Sequence, residues 1–146
     1  MNQRLSLELP ANLTYLALAA QMAGQAASCV IPRQVNRVTG QAYSHAFELA
    51  LSEAFTNAVQ HQDDGAPPDL RVKIEFEFQG CGLGVTIKDQ NNSFNLAAVP
   101  APDFSSHGDG GYGLFLIQQV MDHVSYERQQ GWNVVSLSKK LSFCGQ

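Results

Sequence analysis

The stretch Glu53-Ala54-Phe55-Thr56-Asn57-Ala58-Val59-Gln60-His61 lies in a helix predicted from about Ser44 to His61. A helix turns once per roughly 3.6 residues, so Glu53, Asn57 and His61 fall in one polar row, with Gln60 beside it. Phe47, Ala50, Leu51, Ala54 and Ala58 form the neighbouring apolar stripe, which should face a core. A carboxylate, an amide and an imidazole bordering a buried stripe suit a site for a metal or a phosphate. A solvated helix face would look the same, so the rest of the chain has to decide.

To either side, the elements follow from periodicity. Arg4 to Leu9 alternates and reads as a short strand ended by Pro10. Asn12 can cap a helix from about Leu13 to Cys29, stopped by Pro32, and Ser44 is the expected cap of the next helix. Asp63-Asp64-Gly65-Ala66-Pro67-Pro68 then breaks the chain. Leu70, Val72, Ile74, Phe76 and Phe78 alternate with Arg71, Lys73, Glu75 and Glu77, which predicts a strand with one buried face. Gly80-Cys81-Gly82 turns it into a second strand, Leu83 to Lys88. A helix is expected from Gly113 to His123, and a hairpin of Val124 to Arg128 and Asn133 to Leu141 closes the chain. Hairpin-linked strands, with helices that are not crossovers, predict an α+β two-layer sandwich. Its sheet is mixed and mostly antiparallel, with helices on one face.

The 146 residues are expected to form a single domain, residues 1–146. A composition 45% hydrophobic and 15% charged predicts a folded globular protein. With net charge -4 and no basic cluster beyond Lys139-Lys140, nucleic-acid binding is disfavoured. No signal-peptide core and no apolar run of bilayer length is present, so a cytoplasmic protein without membrane attachment is expected. Cys29, Cys81 and Cys144 are odd in number and widely spaced, matching neither a disulfide framework nor a zinc site.

Two loops could carry chemistry. Asp89-Gln90-Asn91-Asn92-Ser93-Phe94-Asn95 follows a buried strand, and a carboxylate held there can accept a hydrogen bond from an exocyclic amine such as that of adenine. A local Asx turn explains the same residues. Gly108-Asp109-Gly110-Gly111-Tyr112-Gly113 leads into Leu114-Phe115-Leu116-Ile117. Glycines ahead of a helix let backbone N–H groups approach a phosphate, although a flexible surface loop is equally glycine-rich. The cluster is neither a Walker loop nor a Rossmann fingerprint.

In this order, a Glu-x-x-x-Asn-Ala-x-x-His helix, a strand ending in Asp and a glycine loop entering a helix resemble the GHKL superfamily. That superfamily comprises gyrase-type ATPases, heat-shock chaperones, bacterial histidine kinases and mismatch-repair ATPases, which share the Bergerat, histidine-kinase-like ATPase fold. Ser52 to His61 and the run Gly113 to Glu127 are similar to its anti-sigma-factor serine/threonine kinases. The resemblance spans roughly Leu5 to Leu141.

The resemblance implies an ATP-dependent protein kinase and regulatory switch. Its partners would be a small STAS-type anti-anti-sigma protein and a sigma factor or other regulator, with the N-terminal strand and first helix contributing to a homodimer. It implies that Asn57 coordinates the Mg²⁺ bridging the ATP phosphates and that Glu53 is the general base. Asp89 would read the adenine amine, with Asn91 and Phe94 in the same box. Gly108, Gly110, Gly111 and Gly113 would wrap the phosphates, and His61 would play a supporting part.

Three departures qualify it. Asn91 stands where the family's Asp-x-Gly box has glycine, and Asn is the non-glycine residue most tolerant of a left-handed backbone. Asn95 replaces the acidic residue that often follows the box's Phe. From Asn91 to Val120 there is no Lys or Arg, leaving only His107 as a source of positive charge. Phosphoryl transfer ordinarily uses a cation to stabilise the transferring group. The alternative expectation is therefore a nucleotide-binding module that sequesters a partner without kinase activity. A detached histidine-kinase catalytic domain is a third reading, weakened by the lack of a phosphoacceptor helix.

Overall fold

The computed structural model describes residues 3–60, 69–90 and 112–141. In chain order the elements are β1 (Gln3–Pro10), a 3-10 turn (Leu13–Tyr15), α1 (Leu16–Val30), α2 (Arg37–Gln60), β2 (Arg71–Gln79), β3 (Gly82–Asp89), α3 (Tyr112–Val120), β4 (His123–Gln129) and β5 (Trp132–Lys140). The strands form a five-stranded sheet in the order β1-β2-β3-β5-β4. Every pairing between them is antiparallel, so the mixed component of the expectation is absent from the described residues.

Period-two burial explains the sheet's two faces. Val72, Ile74 and Phe76 of β2, Leu83, Val85 and Ile87 of β3, and Val135 and Leu137 of β5 are buried on the helix side. The alternate positions carry Lys73, Glu75, Glu77 and Lys88, where Lys88 approaches Glu75 at 3.6 Å and Lys73 Nζ lies 4.7 Å from the Trp132 ring centroid. Phe47, Ala50, Leu51, Ala54, Phe55 and Ala58 of α2 complete the core with Ala19, Ala23, Ala26 and Ala27 of α1. The small side chains of α1 let its backbone come close to α2, and the stripe predicted for α2 is the one that is buried.

Three boundaries differ from the sequence reading. Helix α2 begins at Arg37, not Ser44, because Asn36 supplies the cap: its Oδ1 accepts from the Thr39 amide at 2.8 Å. Ser44 instead lies within the helix, its hydroxyl 3.2 Å from that of Ser28 on α1. Asn12 does cap, accepting from the Thr14 amide at 2.8 Å, but the first turn is 3-10 before α1 proper starts at Leu16. Helix α3 stops at Val120 rather than His123. The Asp122 amide donates to Ser138 O at 2.9 Å, and Asp122 Oδ2 accepts from the Lys140 amide at 2.8 Å, so the chain has already joined the sheet. The final hairpin turns through Gln130 (φ 52) and Gly131 (φ 85), both left-handed, as a two-residue primed turn demands.

One buried contact fixes α2 on the sheet. The Tyr43 hydroxyl donates to Lys139 O at 2.6 Å and accepts from the Leu83 amide at 3.0 Å. Leu83 and Lys139 are themselves cross-strand partners of β3 and β5, so the hydroxyl bridges two strands. The Tyr43 ring meets Phe47 edge-on at 5.2 Å. This holds the helix that carries Glu53 and Asn57 one side-chain layer above the strand that ends in Asp89.

Candidate functional site

Glu53 and Asn57 lie one turn apart on α2, each half-buried at the border of the core stripe. Helix α3 packs against α2, and its first turn brings Gly113 against this row. A Cβ built at Gly113 would stand 2.6 Å from Glu53 Oε2 and 3.6 Å from Asn57 Nδ2. Glycine thus keeps open the space in front of the carboxylate and the amide, and any side chain there would displace the end of Glu53.

Asp89 ends β3 and is 7% exposed, although a carboxylate is rarely buried without partners. Its Oδ1 accepts from Asn133 Nδ2 at 3.0 Å, and Asn133 Oδ1 accepts from Arg128 Nη1 at 2.9 Å. Asp89 and Asn57 both line one narrow slot, whose apolar walls are Ala54, Ala58, Ile87, Leu114, Ile117 and Val135. At about 10 Å³ the slot holds no more than a water, so a heterocycle whose donor group reaches the Asp89 carboxylate has to part these walls. The amide oxygen of Asn57 is a hard donor that fits Mg²⁺, which takes one or two protein ligands and otherwise keeps water and phosphate oxygens.

The structure thus brings together Glu53, Asn57, Gly113 and Asp89, drawn from α2, α3 and β3. Asn91, Phe94, Gly108, Gly110, Gly111 and His61 lie outside the described residues. Sequence reasoning missed Asn133 and Arg128. A signal existed: Asn133 lies near the start of β5 on the same parity as Val135 and Leu137, so a polar residue falls on the buried face. Among the described residues, no group of three or more His, Cys, Asp and Glu side chains could hold a metal without further ligands. No helix among them is long and apolar enough to cross a membrane.

Comparison with known proteins identifies the fold and the family. The family model for the histidine kinase-like ATPase domain matches residues 9–139. The serine-protein kinase RsbW of Listeria innocua is 29% identical over 145 aligned residues, covering 92% of this chain and 86% of that protein. RsbW of Staphylococcus epidermidis is 30% identical over 92 residues, covering 58% of each chain. Among solved structures, the histidine kinase domain of an Erythrobacter litoralis blue-light activated histidine kinase superposes with TM-score 0.54 at 17% identity, covering 92% of this chain and 62% of that one. The RsbU and RsbW domains of a Mycobacterium tuberculosis protein give TM-score 0.52 at 17% identity, covering 95% of this chain and 32% of that one. These two likenesses establish the fold, and the family match extends from Leu9 at the end of β1 to Lys139 in β5. The chain belongs to the histidine kinase-like ATPase domain family.

Proposed function

We propose that this protein is an ATP-dependent serine/threonine protein kinase of anti-sigma-factor type, acting on a small STAS-type partner in the cytoplasm. The observation that carries the reading is the meeting of Glu53, Asn57 and Gly113, with Asp89 lining the same slot as Asn57. The RsbW relatives support the choice of protein serine as acceptor, since their names state that activity.

In this reading Asp89 accepts a hydrogen bond from the adenine amine. Asn57 would hold Mg²⁺, which when bound would supply charge neutralisation to the phosphates. Glu53 takes the proton from the partner's hydroxyl as its oxygen bonds to the γ-phosphorus. The bond from the γ-phosphorus to the bridging oxygen breaks, and ADP leaves with that oxygen. A sigma factor or another regulator is the second partner, and β1 with α1 contributes to a homodimer.

The test is transfer of phosphate from Mg-ATP to candidate STAS-type partners, with Glu53→Gln in parallel. Transfer by wild type that falls at least about a hundredfold in Glu53→Gln is expected, the span usual for a positioned acid or base. No transfer to any partner, with both proteins equal, would remove the kinase reading.

One observation favours a second reading. The segment from Asn91 to Val120 holds no Lys or Arg to neutralise a transferring phosphoryl group. A nucleotide-dependent sequestering module needs no such cation. It predicts partner affinity that responds to nucleotide, survives Glu53→Gln and falls in Asn57→Ala.

A further inference from the structure

Three side chains on three adjacent strands form a line that ends at the slot. Arg128 of β4 and Asn133 of β5 are cross-strand partners, as are Asn133 and Asp89 of β3. Arg128 Nη1 donates to Asn133 Oδ1 at 2.9 Å, and Asn133 Nδ2 donates to Asp89 Oδ1 at 3.0 Å. Backbone register therefore sets the order of the line. Asn133, 6% exposed, has little recourse to water if either bond is lost.

The chemistry of the ends fixes the middle. A guanidinium has donors and no acceptor, and an ionised carboxylate has acceptors and no donor. The Asn133 amide consequently has one orientation, oxygen toward Arg128 and NH₂ toward Asp89. The inverted amide would set donor against donor and acceptor against acceptor in a buried place. With Oδ1 engaged in this way, the Asp89 carboxylate cannot turn about its last torsion without breaking a buried hydrogen bond.

We propose that Asn133, held by Arg128, is a positioning residue that presents Asp89 as a fixed acceptor and thereby sets the base preference of the site. This rests on the reading of Asp89 as the acceptor for the nucleotide base. A 6-amino purine offers that acceptor a donor, whereas a 6-oxo purine offers a second acceptor and is rejected. The role of Asn133 is exerted through Asp89, so its effect is confined to ligands that carry a 6-substituent.

The experiment titrates the full chain with Mg-ATP, Mg-GTP and Mg-purine riboside triphosphate, which lacks any group at position 6. Wild type, Asn133→Leu and Arg128→Met are compared by calorimetry. Asn133→Leu is expected to lose about tenfold in ATP affinity, with purine riboside triphosphate unaffected and the ATP-over-GTP ratio reduced. Arg128→Met is expected to show the same pattern with a smaller loss. Arg128 is exposed, so this variant carries the test should Asn133→Leu fail to fold.

Equal weakening toward ATP and purine riboside triphosphate would overturn the proposal, because a merely structural role acts on both. Unchanged base preference in both variants would overturn it too, while leaving the ATP reading in place. Wild type that binds none of the three, or does not prefer ATP to purine riboside triphosphate, would remove the base-acceptor reading and this proposal together.

Discussion

Gly113 stands so close to Glu53 that a methyl group added to it would lie 2.6 Å from the carboxylate oxygen Oε2. The atom in the way is the far end of a flexible side chain, not backbone. Gly113→Ala should therefore be accommodated by a rotation of Glu53, and the added methyl favours helix by roughly 0.5–1 kcal/mol. The melting temperature is expected to change by only a few degrees, as about 1 kcal/mol shifts a domain of this size by roughly 2–8 °C. Phosphotransfer should fall at least about tenfold, because the carboxylate leaves its place and positioning is worth several kcal/mol. Thermal melts and single-turnover transfer on the same preparation check both halves. A large loss of stability with normal transfer would show that Gly113 serves packing alone.

Asp89 requires a more careful substitution than alanine. Asp89→Ala would leave the Asn133 amide buried without its acceptor, mixing a folding defect into any binding result. Asp89→Asn keeps the volume and places an amide in the slot. Loss of the charged acceptor should weaken ATP binding by about 1.5–3 kcal/mol, roughly tenfold to a hundredfold. Asn57→Ala should weaken binding as well, but chiefly in the presence of Mg²⁺. Titrations with and without the ion therefore separate the two residues, and an Asn57→Ala defect independent of Mg²⁺ would argue against its role as metal ligand.

Much of this arrangement was legible in the sequence, and the parts that were not have physical causes. The alternation in β2 and β3 and the apolar stripe of α2 are strong periodic signals, and each predicted inward residue from Val72 to Phe76 and from Leu83 to Ile87 is buried. The helix starts were harder, since Asn36 and Ser44 are both competent caps. Tertiary contact with Ser28 and the anchoring of Tyr43 extend α2 past Ser44. The α3 boundary is set by hydrogen bonds between Asp122 and residues of β5, remote in sequence, which no local pattern contains. Likewise Glu53, Asn57, Asp89 and Gly113 were picked out by motif order. Asn133 and Arg128 become visible only when the register of β3, β5 and β4 aligns them.

The Tyr43 bridge predicts a stability effect distinct from the site. Tyr43→Phe keeps the edge-on contact with Phe47 but removes the hydroxyl that serves the Leu83 amide and the Lys139 carbonyl. Two backbone groups then lose a partner, which should destabilise the fold by about 1–3 kcal/mol. A lower urea midpoint with an unchanged slope is expected. Nucleotide affinity under native conditions should change little, because the bridge is near the N-terminal half of α2 and the site is near its C-terminal end.

Tyr126 gives a pH dependence whose sign can be worked out. Burial pushes its hydroxyl above the ordinary tyrosine value, and Gln118 nearby offsets part of that rise from outside hydrogen-bonding geometry. The folded state thus keeps the proton at a pH where the unfolded chain has begun to release it. Stability from this group is fully present below about pH 10, the ordinary tyrosine value, and is lost as pH climbs toward the raised folded value. Tyr126→Phe removes the titrating group together with a buried oxygen that has no hydrogen-bond partner among the described residues. At pH 7 the variant should be as stable as wild type or more so by about 1 kcal/mol, the lower end of the cost of an unmet buried polar group. Between about pH 9.5 and 11 the wild type should lose urea resistance faster than the variant, the remaining tyrosines being common to both. Parallel denaturation curves over that range, with the same slope of stability on pH, would show that the Tyr126 hydroxyl titrates alike in the folded and unfolded chain.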